Sequence, residues 1–350
     1  VNVAVTAFTR RGAALAEELA AAFQRDGDAV QIAYPRRLGA ELHAMGYDSL
    51  TEWAGERFRD CEALLFVGAC GIAVRAIAPH VKDKFTDPAV VAVDEGGAWT
   101  VPLLSGHVGG ANELARRVAE HTGGAAAIST ATDVNGVFAV DLWAKCKGLY
   151  LDGRTEARSL SSALLRGESC QIESDFPLQG ELFSGFGLGP WTAGMALSDR
   201  VKSPRPIPTV WLVPPTLTLG IGCRRGTPRE VIERVVEHTL DEAGLHPKAV
   251  FQVSTIDLKQ DEEGLLAFCE SWGLPLVTWT AEELLAVPGS FTPSDFVRSV
   301  TGVDNVCERA AVKAGGTLIV PKQSAHGVTV AVARRTGTIS LDWKEGILWD

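Results

Sequence analysis

Residues Pro102–Asn112 read P-L-L-S-G-H-V-G-G-A-N, an apolar run that stops at Ser105 and gives way to glycines crowded around His107. A helical pattern follows at once. Ala111, Leu114, Ala115, Val118 and Ala119 recur at i, i+3, i+4, i+7 and i+8, the single stripe of an amphipathic helix starting near Gly110. Strand, glycine turn and helix in succession are the building unit of an α/β fold. Gly106, Gly109 and Gly110 clear side-chain bulk from the helix entrance, where unpaired N–H groups and the positive end of the helix dipole can face an anion. Ser105 and Asn112 flank that entrance, with the imidazole of His107 at its edge. The segment therefore sets a proton-transfer group beside an anion or oxyanion site. The alternative is a tight turn whose imidazole satisfies a nearby carbonyl.

The same device recurs on both sides of this stretch. Upstream, Asn2–Phe8, Ala29–Ala33, Ala63–Val67 and Ala89–Val93 are short apolar runs, and Ala16, Leu19, Ala20 and Phe23 mark a helix between the first two. Ala98–Leu104 reads as an additional edge strand and Ala125–Ile128 as a fifth main strand. Strands alternating with helices imply a mainly parallel sheet covered on both faces. From 136 to 216 the pattern weakens, glycine and proline become frequent, and Ser203–Pro215 reads as a proline-stiffened linker. Alternation resumes at Leu217–Leu219, Ala249–Val253, Leu318–Val320 and Val328–Ala333, the last nearly continuous in apolar residues and so expected to be central. The predicted architecture is α/β: an N-terminal α/β domain over 1–135, a small irregular middle domain and linker over 136–216, and a C-terminal α/β domain over 217–350. Both end domains are expected to be mainly parallel.

At 350 residues the chain exceeds one ordinary core, and 46% hydrophobic with 22% charged residues is a globular composition. A formal charge of −10 argues against a nucleic-acid or anionic-membrane binder but leaves room for a locally basic pocket. No apolar run approaches the roughly 18 residues of a membrane span. The seven cysteines are dispersed without a C-x-x-C pair, so neither a disulfide framework nor a zinc site is expected, and a reducing cytoplasm fits.

Ligands of open α/β sheets gather beyond the carboxyl ends of strands. Gly71 in the Gly68–Gly71 turn, the Ser105–Asn112 segment and Thr130-Ala-Thr-Asp133 are all expected there. Thr130, Thr132 and Asp133 either shape a loop by side-chain hydrogen bonds or touch substrate, and Asp133 is the best acid–base candidate of the three. The turn Gly220–Gly226 carries G-x-G-x-x-x-G, one residue longer than a dinucleotide fingerprint, and no ribose-binding acid follows at the expected distance. Arg224 and Arg225 beside Gly220 and Gly222 either grip carboxylates or form a solvated pair. Cys223 reads as a small buried residue before a nucleophile. Asp304 resembles the N-cap of a helix on which Glu308 either touches substrate or, as the plainer reading, sits on the helix surface, and Lys322 adds local positive charge past a strand end. Ser324-Ala-His326-Gly is not a nucleophile elbow, since G-x-S-x-G is absent.

Taken together, several ordered stretches resemble the cobalt-precorrin-5A hydrolase family of anaerobic cobalamin biosynthesis. They are G-I-A-V-R-A-I-A-P (Gly71–Pro79), K-x-x-D-P-A-V-V (Lys84–Val91), L-L-S-G-H-V-G-G-A-N-E-L-A (Leu103–Ala115), T-A-T-D-V-N-G (Thr130–Gly136) and D-x-W-A (Asp141–Ala144). In the C-terminal domain L-G-I-G-C-R-R-G (Leu219–Gly226), S-T-I-D-x-K (Ser254–Lys259) and V-x-E-x-A-A around Glu308 continue the match. The resemblance implies an anionic cobalt-tetrapyrrole substrate handed on from other cobalamin-pathway enzymes, no cofactor or metal site of the protein's own, and cobalt brought by the substrate. It implies opening of a δ-lactone by water and release of acetaldehyde to leave cobalt-precorrin-5B. On this reading His107 is the general base, backbone N–H groups near Gly109 and Gly110 hold the oxyanion or a peripheral carboxylate, and Asp133 orients His107 or handles the later proton transfer. Two other classes compete: a non-catalytic carrier of the same anionic intermediates, and a nucleotide-dependent oxidoreductase using a glycine turn.

Overall fold

The computed structural model describes residues 1–83, 86–107, 109–343 and 345–349, with residue 296 described by its backbone alone. Lys84 and Val108, both named above, lie outside the described residues. The chain forms two compact units, Val1–Val137 and Phe138–Asp350.

In unit 1, β1 (Asn2–Ala7), β2 (Ala29–Ile32), β3 (Ala63–Val67), β4 (Ala89–Val93), β5 (Trp99–Leu104) and β6 (Ala125–Ala126) form one sheet in the order β2-β1-β3-β4-β5-β6. A-L-L-F-V of β3 and A-V-V-A-V of β4 are buried at every position, as strands covered on both faces must be. Helix α1 (Arg10–Arg25) begins where Thr9 caps the Gly12 N–H, then packs Ala16, Leu19 and Phe23 on one face beside Val5, Leu65 and Val91. Two further helices, α2 (Leu50–Asp60) and α3 (Cys70–Ile77), bring Trp53, Ala73 and Ile77 to the other face, against Ala4, Leu64 and Phe66. Helix α4 (Ala111–Thr122) buries the stripe read from the sequence, and a one-turn helix α5 (Ala131–Val134) follows β6.

Strand β5 departs from expectation. It lies between β4 and β6 instead of at the edge, and it runs antiparallel to β4, with Leu104 opposite Val90 and Thr100 opposite Val93. The chain after β5 therefore emerges at the end of the sheet where β4 begins. β6 is parallel to β5 and emerges at that same end.

In unit 2 the middle stretch is more regular than its glycine and proline content implies. β7 (Tyr150–Asp152), β8 (Cys170–Ser174), β9 (Ala193–Leu197) and β10 (Thr209–Val213) form a sheet in the order β8-β9-β10-β7, in which only β7 is antiparallel to its neighbour. The segment read as a linker thus contains an inner strand, because Val210–Val213 is buried between prolines that only punctuate it.

The C-terminal sheet is mixed. β11 (Leu217–Cys223), β12 (Val250–Ile256), β13 (Leu276–Trp279), β14 (Thr317–Ala325) and β15 (Val328–Arg334) stand in the order β13-β12-β11-β15-β14. The pairs of β12 are parallel and those of β15 antiparallel, with β15 interior as its apolar run implies. Helices α6 (Arg229–Glu242) and α7 (Glu263–Trp272) cover one face through Ile232, Val236, Leu240, Leu265 and Phe268. A short helix α8 (Asp295–Thr301) precedes α9 (Val306–Gly315), which lies against β11, β12 and β15. Among the described residues no helix is long and apolar enough to cross a membrane.

Candidate functional site

Because β5 and β6 end on the same side, the loop after one and the helix after the other meet. His107 Nε2 lies 2.7 Å from Asp133 Oδ2, with the two side chains 13% and 20% exposed. Thr132 Oγ1 stands 3.0 Å from the same nitrogen. Asn112, in the first turn of α4, donates through Nδ2 to Thr130 Oγ1 at 2.9 Å and to Asp133 Oδ2 at 3.0 Å. Arg116, one turn further along α4, donates from Nη2 to Asp133 Oδ1 at 2.6 Å. Asp133 is thus held from both oxygens, one of them facing the imidazole. Asn112 is 4% exposed, and among the described residues its Oδ1 has no hydrogen-bond partner, leaving a buried acceptor beside this cluster.

The helix entrance works differently from the sequence expectation. The Gly110 N–H donates to the His107 carbonyl at 3.0 Å, Ala111 to Ser105 at 3.1 Å and Asn112 to Gly106 at 2.9 Å. These N–H groups close the loop on itself, so the Gly110 N–H is already engaged within the loop. The glycines serve packing. A Cβ on Gly109 would collide with Ser105, and one on Gly106 would lie 2.8 Å from Asn112 Oδ1. Gly110 has open space around it but a φ of +88°, the left-handed conformation that glycine adopts freely. Ser105 holds φ +56° without that freedom, and its Oγ donates to the Asp87 carbonyl at 2.9 Å, tying the loop to the start of β4.

Gly71 does not join this group. The Gly68 N–H bonds the Val93 carbonyl at the far end of β4, so Gly71 on α3 opens to space at the opposite edge of the sheet. The expectation that all three segments share one edge assumed a parallel β5, and the antiparallel β5 separates them.

In unit 2 the sequence candidates surround a cavity of about 730 Å³. Gly222 and Cys223 at the end of β11 and Arg224 and Arg225 just past it line the cavity, with Lys259, Lys322 and His326 on other walls and Ile256, Leu258, Val297, Val300 and Val306 supplying apolar surface. Gly220 does not reach it. Gly220 lies within β11, where a Cβ would strike the Cys307 carbonyl, so its missing side chain lets α9 approach the sheet. The glycine-rich stretch is mostly strand, and no phosphate-binding loop forms there. Lys259 pairs with Glu262 at 2.9 Å, whereas Arg224, Arg225 and Lys322 form no salt bridge among the described residues. Burial raises the Cys223 thiol above its ordinary range, against a nucleophilic role.

Sequence reasoning placed Glu308 on a helix surface, and there the structure differs. Glu308 is 1% exposed and accepts hydrogen bonds from Thr292 N–H at 2.7 Å, Thr292 hydroxyl at 3.0 Å, Asn305 Nδ2 at 2.7 Å and Lys322 N–H at 2.8 Å. It pins β14 and the segment before α8 around the cavity. Asn305, not Asp304, caps α9, and Asp304 pairs with Arg309 at 2.8 Å. Arg116 was missed entirely. Its spacing of four from Asn112 puts both on one helix face, a signal visible in the sequence once Asn112 is singled out.

The chain matches the family descriptions "Cobalamin synthesis G N-terminal" over residues 52–133, "Cobalamin biosynthesis central region" over 138–214 and "Cobalamin synthesis G C-terminus" over 217–333. A Salmonella typhimurium protein named cobalt-precorrin-5A hydrolase is 36% identical over 80% of this chain and 84% of its own length. One of the same name from Priestia megaterium is 32% identical over 95% and 94%. A solved structure of a Sulfolobus solfataricus homolog of cobalamin biosynthesis protein G, 20% identical, covers 95% of this chain and 97% of that one at a TM-score of 0.42. On the breadth and identity of the sequence matches, this chain belongs to the cobalamin synthesis G (CbiG) family.

Proposed function

We propose that this chain is a cobalt-precorrin-5A hydrolase. The substrate reading rests on the two relatives of that name, which match most of the chain. The catalytic reading is carried by one observation, the 2.7 Å approach of His107 Nε2 to Asp133. We place the step in the anaerobic route to cobalamin and in the cytoplasm, with substrate handed on from other pathway enzymes and cobalt entering as part of the substrate.

A carboxylate at Nε2 fixes the tautomer in which that nitrogen carries the proton and stabilises the imidazolium formed when the ring takes a second one. Proton abstraction from water is assigned to this imidazole. The water adds to the lactone carbonyl, the acyl–oxygen bond breaks, and the imidazolium returns its proton to the site. The released alkoxide collapses to the carbonyl of acetaldehyde as its bond to the macrocycle breaks, and the electron pair enters the conjugated ring, which is then protonated. Water supplies every atom added to the products. Arg116 keeps Asp133 aligned.

The cavity of unit 2 suits the same chemical class: apolar walls for a conjugated ring and Arg224, Arg225 and Lys322 for carboxylate arms. A hydrolysis run in ¹⁸O-labelled water tests the mechanism. Attack on the acyl carbon places one label in the new carboxylate. An unlabelled carboxylate would show that the acyl–oxygen bond is not opened by water. In single-turnover experiments His107→Asn and Asp133→Asn are each expected to slow lactone opening about 100-fold. Full activity of His107→Asn would remove this imidazole from the mechanism.

A further inference from the structure

The cavity in unit 2 holds one imidazole that the reading above leaves unused. Ala325 pairs with Val328, so His326 and Gly327 form a two-residue hairpin turn between β14 and β15. Their φ angles are +51° and +81°. Such a turn requires positive φ at both positions, and Asn-Gly fills it at lower steric cost than His-Gly. The Gly327 carbonyl accepts the Arg224 N–H at 3.0 Å, which fastens the turn to the end of β11. The imidazole is therefore mounted on a rigid hairpin, at the wall of a cavity with three cations unpaired among the described residues, Arg224, Arg225 and Lys322. Leu258 and Val300, also lining the cavity, are 52% and 63% exposed, an apolar surface for the face of a flat ring.

We propose that His326 is the axial ligand that this protein offers to the cobalt of its tetrapyrrole substrate. The inference rests on the reading of the unit 2 cavity as a site for that substrate class. The other donors on its walls are poorer. Lysine and arginine are protonated at neutral pH, hydroxyl and amide oxygens are hard donors, and burial holds the Cys307 thiol near a pKa of about 11 and raises that of Cys223. A neutral imidazole is the donor that suits a cobalt ion in a ring of four nitrogens. Ligation from one side also fixes which face of the macrocycle turns to the wall, a form of selection that carboxylate binding alone does not supply.

The test uses the full chain and cobalt(II) uroporphyrin, a tetrapyrrole octacarboxylate without an axial base of its own. Binding is followed by absorbance, and frozen-solution electron paramagnetic resonance reads the nitrogen on cobalt. Wild-type protein is expected to bind the probe and to split the cobalt hyperfine lines into triplets, which become doublets when histidine is labelled with ¹⁵N. His326→Asn, whose new side chain tolerates positive φ, is expected to bind about tenfold more weakly and to lose the splitting. Bound probe without splitting in the wild type, or splitting that persists in His326→Asn, would overturn the assignment and leave the cavity reading intact. A wild-type protein that does not bind the probe overturns the cavity reading, and the ligand assignment with it.

Discussion

At the scale of single residues, two carboxyl groups do opposite work. Asp133 faces a titratable ring and is held in place by Asn112 and Arg116. Glu308 faces only donors, four of them, and its function is to fix walls. Glu308→Ala would leave those donors unpaired in the interior and is expected to lower the stability of the protein by about 3 kcal/mol, measured by urea denaturation. An unchanged midpoint would mean that the network closes without it. Charge removal at the cavity should act on binding. Arg225→Ala is expected to raise KM by roughly tenfold with little change in kcat, since a grip on a carboxylate arm that takes no part in the chemistry is equal in ground and transition states. A matching fall in kcat would instead tie Arg225 to the chemistry. His107 and Asp133 were both legible as candidates from residue type and local pattern. Asp133 was also expected to orient His107, but the geometry of that pairing at Nε2 was not legible, because nothing in either segment says at which end of the sheet it emerges.

At the scale of elements, glycines distinguish the two sites. Gly110 needs its left-handed backbone in open space, while Gly220 needs the absence of a side chain under α9. Gly110→Ala is expected to cost about 1 kcal/mol, the penalty of placing an L-residue in that conformation. Gly220→Ala should cost appreciably more, because backbone must move for the methyl to fit. Thermal denaturation of the two variants side by side checks the order, and a more damaging Gly110→Ala would refute this account of the helix–sheet contact. Local pattern served well for α4, whose apolar stripe is the one buried, and for β3 and β4, whose continuous apolar runs have no solvent face. It served poorly for β5. Strand direction depends on hydrogen bonding between residues distant in sequence, and W-T-V-P-L-L has no feature that distinguishes parallel from antiparallel pairing. That one reversal separated Gly71 from His107. In the middle region the difficulty was propensity: A-G-M-A-L of β9 contains residues poor in strand preference and is a strand because its neighbours bury it on both faces.

At the scale of the whole molecule, the chain carries two chemistries in two compact units. Unit 1 presents the imidazole–carboxylate pair, and unit 2 the cationic, apolar-walled cavity. Unit 2 owes its compactness in part to Asp199, fully buried after the β9 strand, which accepts from Arg334 of β15 at 2.7 Å and from the Thr216 hydroxyl at 2.8 Å. Asp199→Ala strands the guanidinium and is expected to destabilise unit 2 by about 3–5 kcal/mol, visible as an earlier calorimetric transition. Retention of the wild-type transition would show that the middle and C-terminal sheets of this unit hold together without that ion pair. A net charge of −10 is no obstacle to an anionic substrate here, because Arg224, Arg225 and Lys322, without a salt bridge among the described residues, line one cavity. The measurement that bears most directly on the central claim is acetaldehyde released by the purified protein from cobalt-precorrin-5A. One equivalent per substrate consumed, with cobalt-precorrin-5B as the other product, is the expected result. Tight binding of a substrate recovered unchanged, with no acetaldehyde, would contradict the account and make the protein a carrier.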